Sequence, residues 1–160
     1  MSHHICDHEQ GIVSEDVPGD DLPDRPVSRH PNYVTKRGLA LIEAALDASR
    51  REYALAQALG DRRLLSKAGR ELRYWSARRA SAQLVSVRAD VDTVQFGSLV
   101  KIQREDGREQ TFRIVGEDEA EPASGSISYV SPLARALIGK RVGDELRAGA
   151  DRAEVTAIAL

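Results

Sequence analysis

The sequence predicts an α+β chain: an N-terminal antiparallel helical hairpin of coiled-coil type, followed by a small antiparallel β domain carrying one short helix. Three observations lead there. Apolar residues recur every three or four positions on either side of Gly60-Asp61, the spacing of two facing helices. After Leu84 the period drops to two, the spacing of strands with one buried face. The 34 residues before the hairpin are acidic and hold four of the six prolines, with no period at all.

That opening segment, residues 1–34, reads as a mostly disordered acidic arm, because its apolar content cannot offset the entropy of ordering it. His3, His4, Cys6, Asp7 and His8 are potential ligands, but their spacing matches no closed zinc site, so no metal and no cofactor are expected. The end of the arm, from Arg25 onward, is richer in proline and aromatic character and is expected to pack where the first helix begins. A single cysteine rules out an internal disulfide and suits a reducing cytoplasm. No apolar run approaches the ~18 residues of a membrane span.

Residues 35–84 form the predicted hairpin. Thr35 is a plausible N-cap. Leu39, Ile42, Leu46, Ser49, Tyr53 and Ala56 make one stripe; Leu65, Ala68, Leu72, Trp75 and Ala82 make the second, interrupted by Arg79. Gly60 suits the left-handed residue that ends a helix. Two helices of such length bury little between them, so the hairpin is expected to project as a rod. Its charge is distinctive: eleven basic against five acidic side chains, net +6, between an arm at −5 and a C-terminal portion at −3. Such a segment suits an anionic surface.

Residues 85–160 supply the β domain. Strands are expected on both sides of Asp106-Gly107, a two-residue hairpin signal. An acidic loop, a strand ending in "ISYVS", a short helix opening at Pro132, a turn in "RVGDEL" and a final strand complete it.

The run Phe112 to Asp144, "FRIVGEDEA" continuing into "ISYVSPLARALIGKRVGDEL", together with "VQFGS" at Val94 to Ser98, closely resembles the bacterial transcript-cleavage factors of the GreA/GreB family. The resemblance implies an FKBP-like C-terminal domain that docks on the rim of RNA polymerase's secondary channel. The hairpin would then enter the channel, where two acidic tip residues help hold a second Mg²⁺ for hydrolysis of backtracked RNA. A hard divalent cation needs several oxygen ligands fixed beside the attacking water. Here the tip departs from the family pattern. Asp61 matches the first acid, Leu64 stands at the second, and Arg62 and Arg63 bring fixed positive charge. Both helices are also shorter than the family's by roughly two to three turns of 3.6 residues.

These departures suggest a polymerase-binding regulator of elongation that has lost cleavage activity and is not itself an enzyme. The resemblance places Ser131 and Pro132 on the polymerase-binding face, with Arg135 exposed beside them, although Val130 replaces the usual Asp or Asn. Asp61, Arg62 and Arg63 form the hairpin tip, with Asp61 a weak catalytic candidate and otherwise a turn residue. The partner is RNA polymerase, nucleic-acid contact is weak or indirect without a base-reading motif, no membrane is involved, and the chain acts as a cytoplasmic monomer. Three alternatives stay open: a cleavage factor using Asp61 alone, a protein resembling the regulators of nucleoside diphosphate kinase, and an FKBP-type isomerase. The last would need an aromatic pocket, and residues 85–160 offer only Phe96, Phe112 and Tyr129.

Overall fold

The computed structural model describes residues 22–160. The first 21 residues, including the His3, His4, Cys6, Asp7 and His8 group, lie outside the described residues. The chain falls into two compact units that interleave in sequence. One holds residues 43–80 with the segment ending at Ser28; the other holds Arg29–Ile42 with Ser81–Leu160.

The hairpin consists of α1 (Lys36–Leu59) and α2 (Arg62–Ser81). Thr35 caps α1 as expected, its hydroxyl accepting the Gly38 N–H at 3.0 Å. The stripe on α1 is buried at Ile42, Leu46, Ser49 and Ala56, and that on α2 at Ala68. Antiparallel register is fixed by two cross-helix pairs. Arg79 Nε meets Glu43 Oε2 at 3.0 Å. Gly69 faces the Tyr53 ring so closely that a Cβ there would stand 3.3 Å from it. Both pairs are centred on the turn at Asp61. Arg79, which interrupts the apolar stripe in the sequence, is therefore a cross-helix partner.

In the second unit, β3 (Leu99–Arg104), β4 (Glu109–Val115), β5 (Ser126–Ser128), β6 (Glu145–Ala148) and β7 (Asp151–Ala159) form one sheet in the order β5-β4-β3-β7-β6. Helix α3 (Pro132–Leu137) packs Ala134 and Leu137 into a core with Val100, Ile102, Ile114 and Val155. Burying such aliphatic side chains contributes about 1.5–3 kcal/mol each. A second, two-stranded pairing joins β1 (Tyr33–Val34) to β2 (Gln83–Leu84) in parallel.

Four details differ from the sequence reading. Defined contacts begin at Pro23 and Asp24, ahead of the segment from Arg25 that was expected to pack, and the arm ends in β1, because the Asn32 and Val34 carbonyls bond the amides of Gln83 and Val85. Strand β5 pairs with β4 in parallel, since the connection of ten residues through a 3₁₀ turn at Pro122–Ser124 carries the chain back in the same direction. Residues 93–98 are a turn and not a strand, with Gln95 and Ser98 bonded to each other and Gly97 at φ 91°. Finally, "RVGDEL" leads into β6, which returns through Gly149 at φ 75° to β7.

Candidate functional site

The hairpin tip is built from two overlapping helix signals. Gly60 sits at φ 66°, donating its N–H to Gln57 O while Asp61 N–H reaches Ala56 O, the pair of bonds that closes a Schellman end. Asp61 then starts α2. Its Oδ1 accepts the N–H groups of Arg63 at 3.0 Å and Leu64 at 3.1 Å. Asp61 is thus an N-cap, a role the sequence reading missed when it placed the residue at the end of α1. Asp61, Arg62, Arg63 and Leu64 are all exposed.

Such a tip does not supply a Mg²⁺ ligand set by itself. One carboxylate oxygen is engaged by backbone donors, and two guanidinium groups follow it directly. Glu71 is committed elsewhere, to Arg25 at 2.8 Å. Among the described residues no group of three His, Cys, Asp or Glu side chains is placed to hold a metal.

Residues just before the second unit lie along α2. Arg25 stacks over the Tyr74 ring, 3.8 Å from its centroid, and lies 5.6 Å from that of Trp75. Asp24 meets Arg73 Nε at 2.7 Å, and the Pro23 carbonyl accepts Arg70 Nε at 2.7 Å. Trp75 is half-buried edge-on against Tyr74. Only the charge contrast between arm and hairpin hinted at this strap.

In the second unit the Ser131 region is equally well defined. The Ser131 hydroxyl donates to Ser128 O at 2.7 Å and accepts the Ala134 N–H at 3.3 Å, capping α3, with Pro132 in the first turn. Pro132 and Arg135 are exposed on the outer side, whereas Ala134 and Leu137 face the core. The preceding Tyr129 packs against Tyr33 and Phe96 at centroid distances of 5.3 and 5.7 Å, and its hydroxyl donates to Pro31 O. Pro132 and Arg135 are therefore exposed beside a part-buried Ser131 whose hydroxyl is spent on the cap. Phe96 and Tyr129 are spent on each other and on Tyr33, so they do not wall an isomerase pocket.

Residues 89–158 match the model of the C-terminal domain of the transcription elongation factors GreA/GreB. GreB of Haemophilus influenzae is 35% identical over 135 residues, covering 72% of this chain and 85% of that protein. The chain belongs to the GreA/GreB family. GreB of Neisseria meningitidis serogroup B is 44% identical over 87 residues, 53% of each chain, so the chain spans about half the length of that relative. Among solved structures, the GreA factor homolog Gfh1 of Thermus thermophilus aligns over 81% of this chain and 99% of its own, at 23% identity and a TM-score of 0.41. No helix of the described residues is long and apolar enough to cross a membrane.

Membership corrects one expectation. The chain was expected not to be an enzyme, but its relatives are transcription elongation factors GreB and GreA, the group for which the resemblance seen in the sequence implies a part in hydrolytic transcript cleavage. By that resemblance the hydrolysis would run in the polymerase's own site. A ligand count made on the tip alone therefore does not exclude a part in hydrolysis.

Proposed function

We propose that this chain binds RNA polymerase at its secondary channel and regulates transcription elongation, acting as a cytoplasmic monomer. In this reading residues 85–160 are the docking platform, and Ser131, Pro132 and Arg135 contact the polymerase. Residues 35–84 are the part that enters, led by Asp61, Arg62 and Arg63, with the arm of residues 1–34 outside this division of labour. The observation that carries the reading is the extent of the GreB match. At 72% of the chain it reaches past the β domain into the hairpin. The positive tip is suited to a channel lined with carboxylates or phosphates, where steering acts over a Debye length of about 10 Å at 0.1 M salt.

The test is competition on a polymerase stalled in a backtracked complex. Purified protein is expected to displace a fluorescently labelled GreB, and Arg135→Glu to weaken that displacement. Absence of displacement at saturating protein overturns the reading. RNA length followed in the same reaction reports hydrolysis directly, and Asp61→Ala assigns any shortening to the tip.

A further inference from the structure

We propose that a basic cavity with aliphatic walls in the second unit is a docking site for an extended, acidic segment of a partner protein. The cavity holds about 490 Å³, inside the ~300–1,000 Å³ range of binding clefts, and all its walls belong to that one unit. Ser131, Pro132 and Arg135 do not line it, so it is separate from the residues assigned to polymerase contact.

The topology builds the cavity. Strands β1 and β2 run in parallel, so the residues that follow them, Thr35 to Arg37 and Val85 to Val87, leave the pair side by side. In the large sheet Leu99 has Arg113 on one side and Ala159 on the other, which brings Leu160 to the same end. Val87 is pressed against Gly97, where a Cβ would stand 2.4 Å from Val87 Cγ2.

Charge identifies the kind of occupant. Lys36, Arg37 and Arg113 line the cavity against a single carboxylate, Glu119, in a unit whose thirteen basic and thirteen acidic side chains cancel. Glu119 is almost fully buried and is spent on Thr35 and Arg37. Arg113 is half-buried, and its Nη1 donates to Gly97 O at 2.9 Å, which fixes the guanidinium without neutralising it. Among the described residues, neither Arg113 nor Lys36 meets a carboxylate. Two uncompensated cations beside Leu84, Val85 and Val87 select an anion with an apolar body.

Two features favour a protein segment over a free small acid. Leu84 and Leu160 remain 51% and 57% exposed at the rim, whereas a small-molecule site encloses most of its ligand. The edge of β2 is also open. The Gln83 and Val85 N–H groups bond to β1, so the Leu84 N–H between them faces away from it, and no described residue accepts it. An added strand would fill that donor. Its alternate side chains would set an aliphatic group among the cavity's apolar walls and a carboxylate at Lys36 and Arg113.

The test selects phage-displayed random octapeptides on the full chain, without polymerase, so its outcome is independent of polymerase binding. Recovered peptides are expected to carry Asp or Glu beside Leu, Ile or Val. A synthetic copy should slow hydrogen exchange at the Leu84 N–H. It should bind about tenfold more weakly to the Lys36→Gln/Arg113→Gln variant, which lacks both charge-assisted contacts. Glutamine at position 113 keeps a donor for Gly97 O, and an unchanged thermal midpoint shows that the variant is folded. If the midpoint falls, Lys36→Gln alone, at an exposed position, carries the comparison. Recovery of no peptide, peptides without acidic enrichment, or equal affinity for the variant overturns the proposal. Hexanoate competing at the same concentration as the peptide also overturns it, by identifying a free small acid as the occupant.

Discussion

The Thr35 hydroxyl donates to Glu119 Oε1 at 2.6 Å while accepting the Gly38 N–H at 3.0 Å, so the cap of α1 is tied directly to the β domain's acidic loop. Glu119 is almost fully buried, and its second oxygen takes Arg37 at 3.2 Å. Gly38 is required by the close approach, since a Cβ there would stand 2.7 Å from Glu119 Oε1. Glu119→Ala removes the partner of both Thr35 and Arg37 and is expected to cost about 1–3 kcal/mol in urea unfolding. A double-mutant cycle with Thr35→Ala, itself worth about 1 kcal/mol as a lost cap, should show non-additivity. Strict additivity would mean that the two residues act independently.

Gly116 should be intolerant of any side chain for a backbone reason. A Cβ there would collide with the carbonyl oxygen of Tyr33, on the strand that precedes Thr35. Gly116→Ala is expected to destabilise by about 1–3 kcal/mol, the usual range for overpacking. Circular dichroism during thermal unfolding would register the loss, and an unchanged midpoint would show that the strand can shift at no cost.

Much of this fold was legible because periodicity and capping chemistry are local. The α1 stripe came out buried at Ile42, Leu46 and Ala56, and the last helix opens at Pro132 as expected, with Ser131 as its cap. What was missed depends on distant partners. Arg25 gives no local signal of lying over Tyr74, 49 positions on. Among the described residues Arg78 is the largest fully buried side chain, a placement that no charge pattern announces. For the site, the sequence showed which residues stand at the tip but not that Asp61 would be held by backbone amides. Such a bond depends on where one helix stops and the next begins.

Asp106 offers a pH-dependent test of the β3–β4 turn. The Asp-Gly signal predicted a two-residue loop, but Gly107 N–H bonds to Arg104 O with Gly107 at φ 89°, giving a longer loop with Gly in the left-handed position. The Arg108 backbone N–H, and next its guanidinium, hold the Asp106 carboxyl below its ordinary value of 3.8. A lowered folded-state pKa means the stabilisation is complete above the ordinary value and lost as pH falls through the lowered one. Titration of the Asp106 carboxyl carbon by NMR should therefore show a midpoint below 3.8, moving up toward that value in Arg108→Ala. Unchanged titration in the variant would refute the assignment.

The strap can be read through the only tryptophan. Arg25→Ala removes a part-exposed ion pair to Glu71 and the stacking over Tyr74, together worth about 1 kcal/mol. Trp75 should become more solvated, so its emission should shift to longer wavelength. Asp24→Asn, which breaks only the exposed pair with Arg73, is expected to change stability by about 0.5 kcal/mol or less. Equal effects from both variants would show that the aromatic stacking contributes nothing.

At the tip, cap and charge can be separated. Asp61→Asn keeps an oxygen able to accept from Arg63 and Leu64, whereas Asp61→Ala leaves those amides unpaired at the start of α2. Alanine is expected to cost about 1 kcal/mol and asparagine only a few tenths. The hairpin makes this measurable by helix unfolding in denaturant, without polymerase. Any larger functional loss in Asp61→Asn than in stability then belongs to the carboxylate's charge, and a parallel loss in Asp61→Ala alone belongs to the cap. If both variants proved equally unstable, the negative charge beside the helix N-terminus, and not the hydrogen bonds, would be what holds the turn.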